Sequence, residues 1–255
     1  RRAGETPMCS RRIWERLFDM LELTNVTAGY GASSVIQDVS LHVDEGEAVC
    51  LLGPNGAGKS TVLKAIFSLT TVMGGTVKWM GRGITGAKTH ELLQLGVGFV
   101  PQGRINFPGM TVRENLEMGG FLLHQRGGLE ARLQFVLERF PALVPHVDDQ
   151  ASALSGGKGQ MLAIARSLVL QPKLLLLDEP TLGLAPQAAA ELFAVLSALV
   201  DGGMSILMVE QNVHAATHFA GRGYLMAAGR VVFEGAADAL REPERMRALY
   251  LGMDT

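Results

Sequence analysis

Residues 53–60 read GPNGAGKS and fit the pattern G-x-x-x-x-G-K-[ST], between an apolar strand-like run and a helical pattern. Those residue types suit a nucleotide polyphosphate. Gly53, Gly56 and Gly58 let backbone N–H groups wrap phosphate oxygens, and Pro54, Asn55, Ala57 and Thr61 belong to the same candidate loop. Lys59 can reach the β- and γ-phosphates, and the Ser60 hydroxyl can ligate Mg²⁺. A glycine-rich turn without a ligand is the plainer alternative. Such a loop also needs a carboxylate for the metal at the end of a neighbouring buried strand. Asp178 is placed for that, closing the apolar run of KLLLLDEP (173–180), and Glu179 beside it can polarise an attacking water as general base. An acidic pair capping whatever follows Pro180 is the competing account.

A third stretch, ALSGGKGQM at 153–161, opens an apolar helical pattern. Ser155 reads as its N-cap. Gly156 and Gly157 cost conformational entropy and give no packing, so they suit an anion that approaches the backbone closely. Nothing nearby in the chain is such an anion. Lys158, in the first turn, opposes the helix dipole by about 0.3–1 kcal/mol unless an anion is close; a solvated surface lysine is the alternative.

The elements that must hold these residues follow from periodicity. LELTNVTAGYG, VIQDVSLHV and EAVCLLG, within 20–52, read as antiparallel strands. A helix follows to about Ser68, then the strands TVKWMGRGI and GVGFVPQ, and a mostly helical stretch over 103–169 with loops at FPGM and PHVDDQ. KLLLLDEP is a buried parallel strand by its unbroken apolar run. A helix at 186–200, the strand MSILMVE and a hairpin across GYLMAAGRVVFEG complete an α/β pattern with a parallel sheet at its centre.

Composition excludes several classes. The 255 residues are 47% hydrophobic, enough for a sizeable core, and the net charge of −2 gives no basic footprint for non-specific nucleic-acid binding. Cys9 and Cys50 lie far apart, with Cys50 inside an apolar run, which fits a reduced protein better than a disulfide framework. The most apolar stretch, AAAELFAVLSALV at 188–200, is broken by Glu191 and Ser197 and reads as a buried helix rather than a membrane span. Residues 1–10 lack the apolar segment of a signal peptide. The fold is expected to begin near Met20, with 1–19 an extension outside it.

The phosphate loop, LSGGKGQ and LLLLDEP, in this order and at this spacing, resemble an ATP-binding-cassette (ABC) ATPase subunit over essentially all of 20–255. The resemblance implies a P-loop NTPase (RecA-like) core, an N-terminal antiparallel β subdomain and an inserted α-helical subdomain at roughly 103–169. It implies ATP and Mg²⁺ as cofactors, with Ser60, Gln102 and Asp178 at the metal. Ser155, Gly156 and Gly157, with Lys158 beside them, would bind the γ-phosphate of ATP held by another subunit's P-loop in a head-to-tail dimer. Tyr30, in AGYG, resembles the aromatic that stacks on adenine, a hairpin-turn tyrosine being the alternative. Gln102, ending GVGFVPQ, resembles the glutamine that touches Mg²⁺ and feels the transmembrane partner, and GLAP (183–186) the loop that crosses the dimer interface.

Two positions depart from the family pattern. Lys158 stands where glutamine is usual, and Gln211 stands where a switch histidine should follow MSILMVE, with His214 three residues on. VPQGRINFPGMTVRENLEMGG, LSGGKGQMLAIARSL, VEQN and the terminal ALYLG most resemble the ATPase of branched-chain amino-acid importers, in which glutamine commonly occupies the switch. That subfamily implies a peripheral chain on the cytoplasmic face of the bacterial inner membrane. It also implies two membrane permease subunits, a second ATPase subunit (identical or related) and, indirectly, a periplasmic substrate-binding protein, with no nucleic acid. Glu179 and Gln211 would be catalytic, and the region from Gln102 to Met118 would meet the permease. The nearest alternatives are the ATPases of urea or short-amide importers and of lipopolysaccharide export. ABC ATPases of DNA repair carry a long coiled coil between P-loop and signature that this chain lacks, Glu179 argues against a non-hydrolysing regulatory module, and no N-K-x-D motif supports a GTPase.

Overall fold

The structure is a computed structural model, and it describes residues 19–103, 105–123 and 128–242. Of the expected extension at 1–19, residues 1–18 lie outside the described residues, as does the terminal ALYLG, while Asp19 already belongs to the first strand. Two sheets organise the rest. The first, antiparallel, has the order β2-β1-β4-β5, built from β1 (Asp19–Tyr30), β2 (Ser33–Asp44), β4 (Thr71–Trp79) and β5 (Arg82–Gly83). The second has the order β10-β9-β3-β8-β7-β6, from β3 (Ala48–Leu52), β6 (Val97–Val100), β7 (Leu174–Asp178), β8 (Ser205–Val209), β9 (Arg222–Ala227) and β10 (Arg230–Ala236). All its pairings are parallel except the β9–β10 hairpin.

EAVCLLG therefore does not join the antiparallel sheet. β3 runs parallel between β8 and β9, and all five of its residues are buried. The reason is chemical: AVCLL is apolar on both faces and needs cover on both, which only a central strand has. Strands β1 and β2, by contrast, leave many positions exposed and pack one face inward.

The period of two along the parallel strands divides the core into layers. Val49, Leu51, Leu174, Leu176, Leu207 and Val209 face α1 (Lys59–Ile66) and the antiparallel sheet. Leu175, Leu177, Ile206 and Met208 face the opposite layer, with α5 (Gly156–Leu168) and α6 (Pro186–Asp201). Onto α5 pack α3 (Val112–Gly119) and α4 (Leu129–Arg139). Thr111 and Glu114 form a capping box at the start of α3. The expected loop at PHVDDQ begins inside a 3-10 turn at Pro141–His146. One helix is absent from the sequence reading, α2 (Thr89–Gln94), and after the switch position His214 lies in the first turn of α7 (Val213–Phe219).

The consequence for chemistry lies at the carboxyl ends of four adjacent strands. β3 ends into Gly53, β8 into Glu210 and Gln211, β7 at Asp178, and β6 into Pro101 and Gln102. Open parallel sheets bind ligands at such an edge, because the loops leaving it converge.

Candidate functional site

The loop 53–60 joins β3 to α1 and leaves no room for a side chain at Gly53 or Gly58. Gly58 has φ +95°, and a Cβ there would lie 2.6 Å from Ile36 Cγ2. Glycine is required by both backbone and neighbour. Lys59 folds back over its own loop, its Nζ donating to the carbonyls of Gly53 (2.8 Å) and Pro54 (3.0 Å). Burial lowers its pKa, against the pull of Glu179, Asp178 and Glu210, which raises it.

Ser60 and Asp178 meet directly: the hydroxyl donates to Oδ1 at 2.8 Å. Asp178 is 2% exposed, and burial lifts its pKa against the Ser60 hydrogen bond. An oxygen pair of this kind fits a hard divalent ion such as Mg²⁺. The described residues contain no group of three or more His, Cys, Asp or Glu side chains that could hold a metal alone. A divalent ion here would thus draw its remaining oxygens from phosphate and water.

Glu179 follows in a left-handed backbone conformation, φ 48°, held by its N–H donating to Val209 O at 2.9 Å. That conformation is uncommon outside glycine and is retained where the surroundings over-determine it. Its carboxylate accepts Gln102 Nε2 on Oε2 at 2.9 Å and Gln211 Nε2 on Oε1 at 2.8 Å, with Lys59 Nζ 4.0 Å from Oε1. Gln102 and Gln211, 109 positions apart in the chain, therefore converge on one carboxylate. His214 does not take part. Its ring lies 4.3 Å from that of His218, on the exposed side of α7.

The loop residues Asn55, Gly56, Gly58, Lys59, Ser60 and Thr61 line a cavity of about 470 Å³ together with Val35, Gln102, Glu179, Leu182 and Gln211. Tyr30 is not among its lining residues. It stands at the end of β1, half exposed, with Lys64 Nζ 6.0 Å from its ring centroid.

The signature stretch stands apart from this cavity. Ser155 is the N-cap residue of α5, but its hydroxyl makes no capping hydrogen bond, contrary to the expectation from its type. A Cβ on Gly157 would come 2.8 Å from Ala188 Cβ, so this glycine also serves the packing of α5 on α6. Lys158 is not a free solvated lysine: its Nζ lies 2.6 Å from His146 Nε2, and His146 Nδ1 lies 2.7 Å from Asp149 Oδ2.

Glu210 escaped the sequence reading. It is 3% exposed and accepts both the N–H (3.0 Å) and the hydroxyl (2.7 Å) of Thr181. It thereby pins the turn that carries Glu179. Burial raises its pKa, opposed by those Thr181 bonds. A lone acid at the end of an apolar strand was the available signal.

A second concavity, of about 560 Å³, opens between the parallel-sheet core and the helical layer. Phe99, Pro101, Ile105, Phe107, Met118 and Phe121 make its wall largely apolar, and Phe121 is 80% exposed. Arg166 donates to Ile105 O at its floor.

Comparison with known proteins agrees with this geometry. A family model described as ABC transporter matches residues 36–182. The high-affinity branched-chain amino acid transport ATP-binding protein BraG of Pseudomonas aeruginosa is 39% identical, covering 91% of this chain and 100% of its own. A probable branched-chain amino acid transport ATP-binding protein, LivF, of Archaeoglobus fulgidus is 37% identical over 92% and 99%. The lipopolysaccharide export system ATP-binding protein LptB of Haemophilus influenzae is 32% identical over 91% and 97%. Among solved structures, the ADP conformation of an ATP-binding cassette of an ABC transporter superposes with TM-score 0.82 at 26% identity, over 92% of this chain and 99% of that one.

Proposed function

Because the chain belongs to the ABC transporter family, as one of its ATPases, we propose that it powers uptake of branched-chain amino acids through separate membrane permease subunits. One arrangement carries the chemistry: Glu179, held by Gln102, Gln211 and Lys59 beside the Ser60–Asp178 pair, at the mouth of the phosphate loop. The loop amides and Lys59 bind the β- and γ-phosphates of ATP. Ser60 and Asp178, with Gln102 near them, hold Mg²⁺, which supplies charge neutralisation at the phosphates. Glu179 takes a proton from the attacking water, whose oxygen bonds to the γ-phosphorus as the bond to the β-bridging oxygen breaks, yielding ADP and phosphate. Gln211 orients the γ-phosphate and that water through its amide, without exchanging a proton. Tyr30 stacks on adenine.

The rest of the site comes from elsewhere. Ser155, Gly156, Gly157 and Lys158 meet the γ-phosphate bound by a second ATPase subunit, in a head-to-tail dimer. The apolar groove from Phe99 to Phe121, which overlaps the region 102–118, receives a segment of a permease. No helix among the described residues is long and apolar enough to cross a membrane, so attachment to the cytoplasmic face through the permeases is the reading we adopt. A periplasmic binding protein delivers the solute.

The solute rests on the likeness to BraG and LivF, which runs over nine-tenths of the chain. The similar span of the likeness to LptB makes lipopolysaccharide export the second reading. The test is transport by the complete system: this chain reconstituted in proteoliposomes with its genomically adjacent permeases and binding protein. ATP-dependent accumulation of labelled leucine, isoleucine or valine is expected. Accumulation of urea or short amides instead, or ATP-driven extraction of lipopolysaccharide without amino-acid uptake, overturns the solute assignment.

A further inference from the structure

The lysine at the first turn of α5 is an unfavourable choice unless an anion lies near it. Asp149 supplies one at second hand. With Nδ1–H donating to Asp149 Oδ2 (2.7 Å), the His146 ring presents its Nε2 lone pair, and the Lys158 ammonium donates to it at 2.6 Å. The 3-10 turn at 141–146 carries the imidazole to that spot by packing on α4 and α5. We propose that His146, oriented by Asp149, is a positioning residue that holds the Lys158 ammonium in the nucleotide-free chain and yields it to ATP phosphate brought by a second ATPase subunit.

The inference rests on the head-to-tail reading above. Its physical core is a competition between two acceptors. A neutral imidazole nitrogen gives one hydrogen bond, whereas a phosphate oxygen gives a charge-assisted one, about twice as strong. The lysine therefore leaves His146 when phosphate arrives at Ser155–Gly157 and stays with it otherwise. The surroundings leave His146 to these two partners. On α4, Glu130 pairs with Arg113, Arg132 donates to Val169 O, Glu138 accepts from Gln134, and Arg139 donates to Phe135 O. On α3, Glu114 caps its own helix and Glu117 is exposed; on α5, Arg166 donates to Ile105 O; and Asp148 beside the turn is exposed.

The experiment measures the ATP concentration that half-saturates dimer formation, by analytical ultracentrifugation of the full chain carrying Glu179→Gln. At pH 7.5, adding His146→Ala should lower that concentration by about 3- to 10-fold, the size of one hydrogen bond removed from the competing side. His146→Gln, which keeps an acceptor near the Nε2 position, should restore the parent value. Lys158→Gln should raise it and flatten its dependence on salt. Equal midpoints for the parent and His146→Ala, with ATP-driven dimers forming in both, overturn the positioning role alone. Absence of any ATP-driven dimer in the Glu179→Gln parent overturns the head-to-tail reading and this inference with it. Thermal melting of each variant separates a loss of fold from either outcome.

Discussion

The two halves of the proposed nucleotide site are built on opposite plans. Around the phosphate loop, four adjacent strand ends converge, and Lys59, Ser60, Asp178, Glu179, Gln102 and Gln211 already satisfy one another. At the start of α5, Ser155 is an N-cap residue whose hydroxyl caps nothing, and Lys158 is tied to a histidine. The first half is complete as geometry and waits for substrate. Open parallel sheets bind ligands at their carboxyl edge, and the start of α5, on the helical layer, stands apart from that edge; in the proposed head-to-tail arrangement its counterpart comes from a second subunit.

The largest effect expected is on the converging half. Glu179→Gln should lower ATP turnover by roughly 10²-fold or more while ATP binding persists, since the amide cannot accept the water's proton. Near-normal turnover in steady-state assays of the reconstituted transporter would remove Glu179 from the reaction. Gln211→Ala should cost about 10- to 10²-fold in turnover with little change in ATP affinity, and the wild-type rate should lack a histidine-like step between about pH 6 and 7. His214→Ala should leave turnover near normal, because its ring packs on His218 rather than reaching Glu179. A crippled His214 variant beside a normal Gln211→Ala would reverse the assignment.

Smaller effects sharpen the contrast. Gly157→Ala should destabilise the protein by about 1–3 kcal/mol through its contact with Ala188, yet spare ATP binding at the phosphate loop. Denaturant unfolding together with nucleotide titration checks both arms; unchanged stability would show that α5 and α6 part at no cost. The smallest shift concerns Asp178. Its pKa is raised by burial, so the folded state binds its proton more tightly than the unfolded chain does. The stability penalty is in full force above the folded pKa and is relieved as pH falls through it. Asp178→Asn should therefore raise the melting temperature of the nucleotide-free protein at pH 7.5, and the gain should shrink in acid while hydrolysis is lost. A lower melting temperature for that variant would mean that the carboxylate stabilises the fold rather than straining it.

Gln211 is singled out only by the family resemblance, whereas the phosphate loop and the Asp178–Glu179 pair are legible because each is a local pattern, a few residues whose types are set by one ligand or one strand end. The same holds for the run KLLLLDEP, whose unbroken apolar stretch can be only a strand covered on both faces. EAVCLLG has the same character, but its place beside antiparallel neighbours in the sequence hid the fact that β3 leaves them for the centre of the other sheet. Glu210 was invisible as a site residue because its partner, Thr181, is 29 residues away, and the hydrogen bond exists only once β7 and β8 lie side by side. Beyond the room it offers an anion, Gly157 has a second demand that only the fold exposes, since its missing Cβ makes way for Ala188 of another helix. The sequence by itself determined which atoms could bind phosphate, metal and water, since that depends on residue type and short spacing. Only the tertiary structure decided that two glutamines grip one glutamate and that Lys158 rests on His146, because hydrogen bonds reach about 3 Å and the chain must first be folded to bring such groups that close.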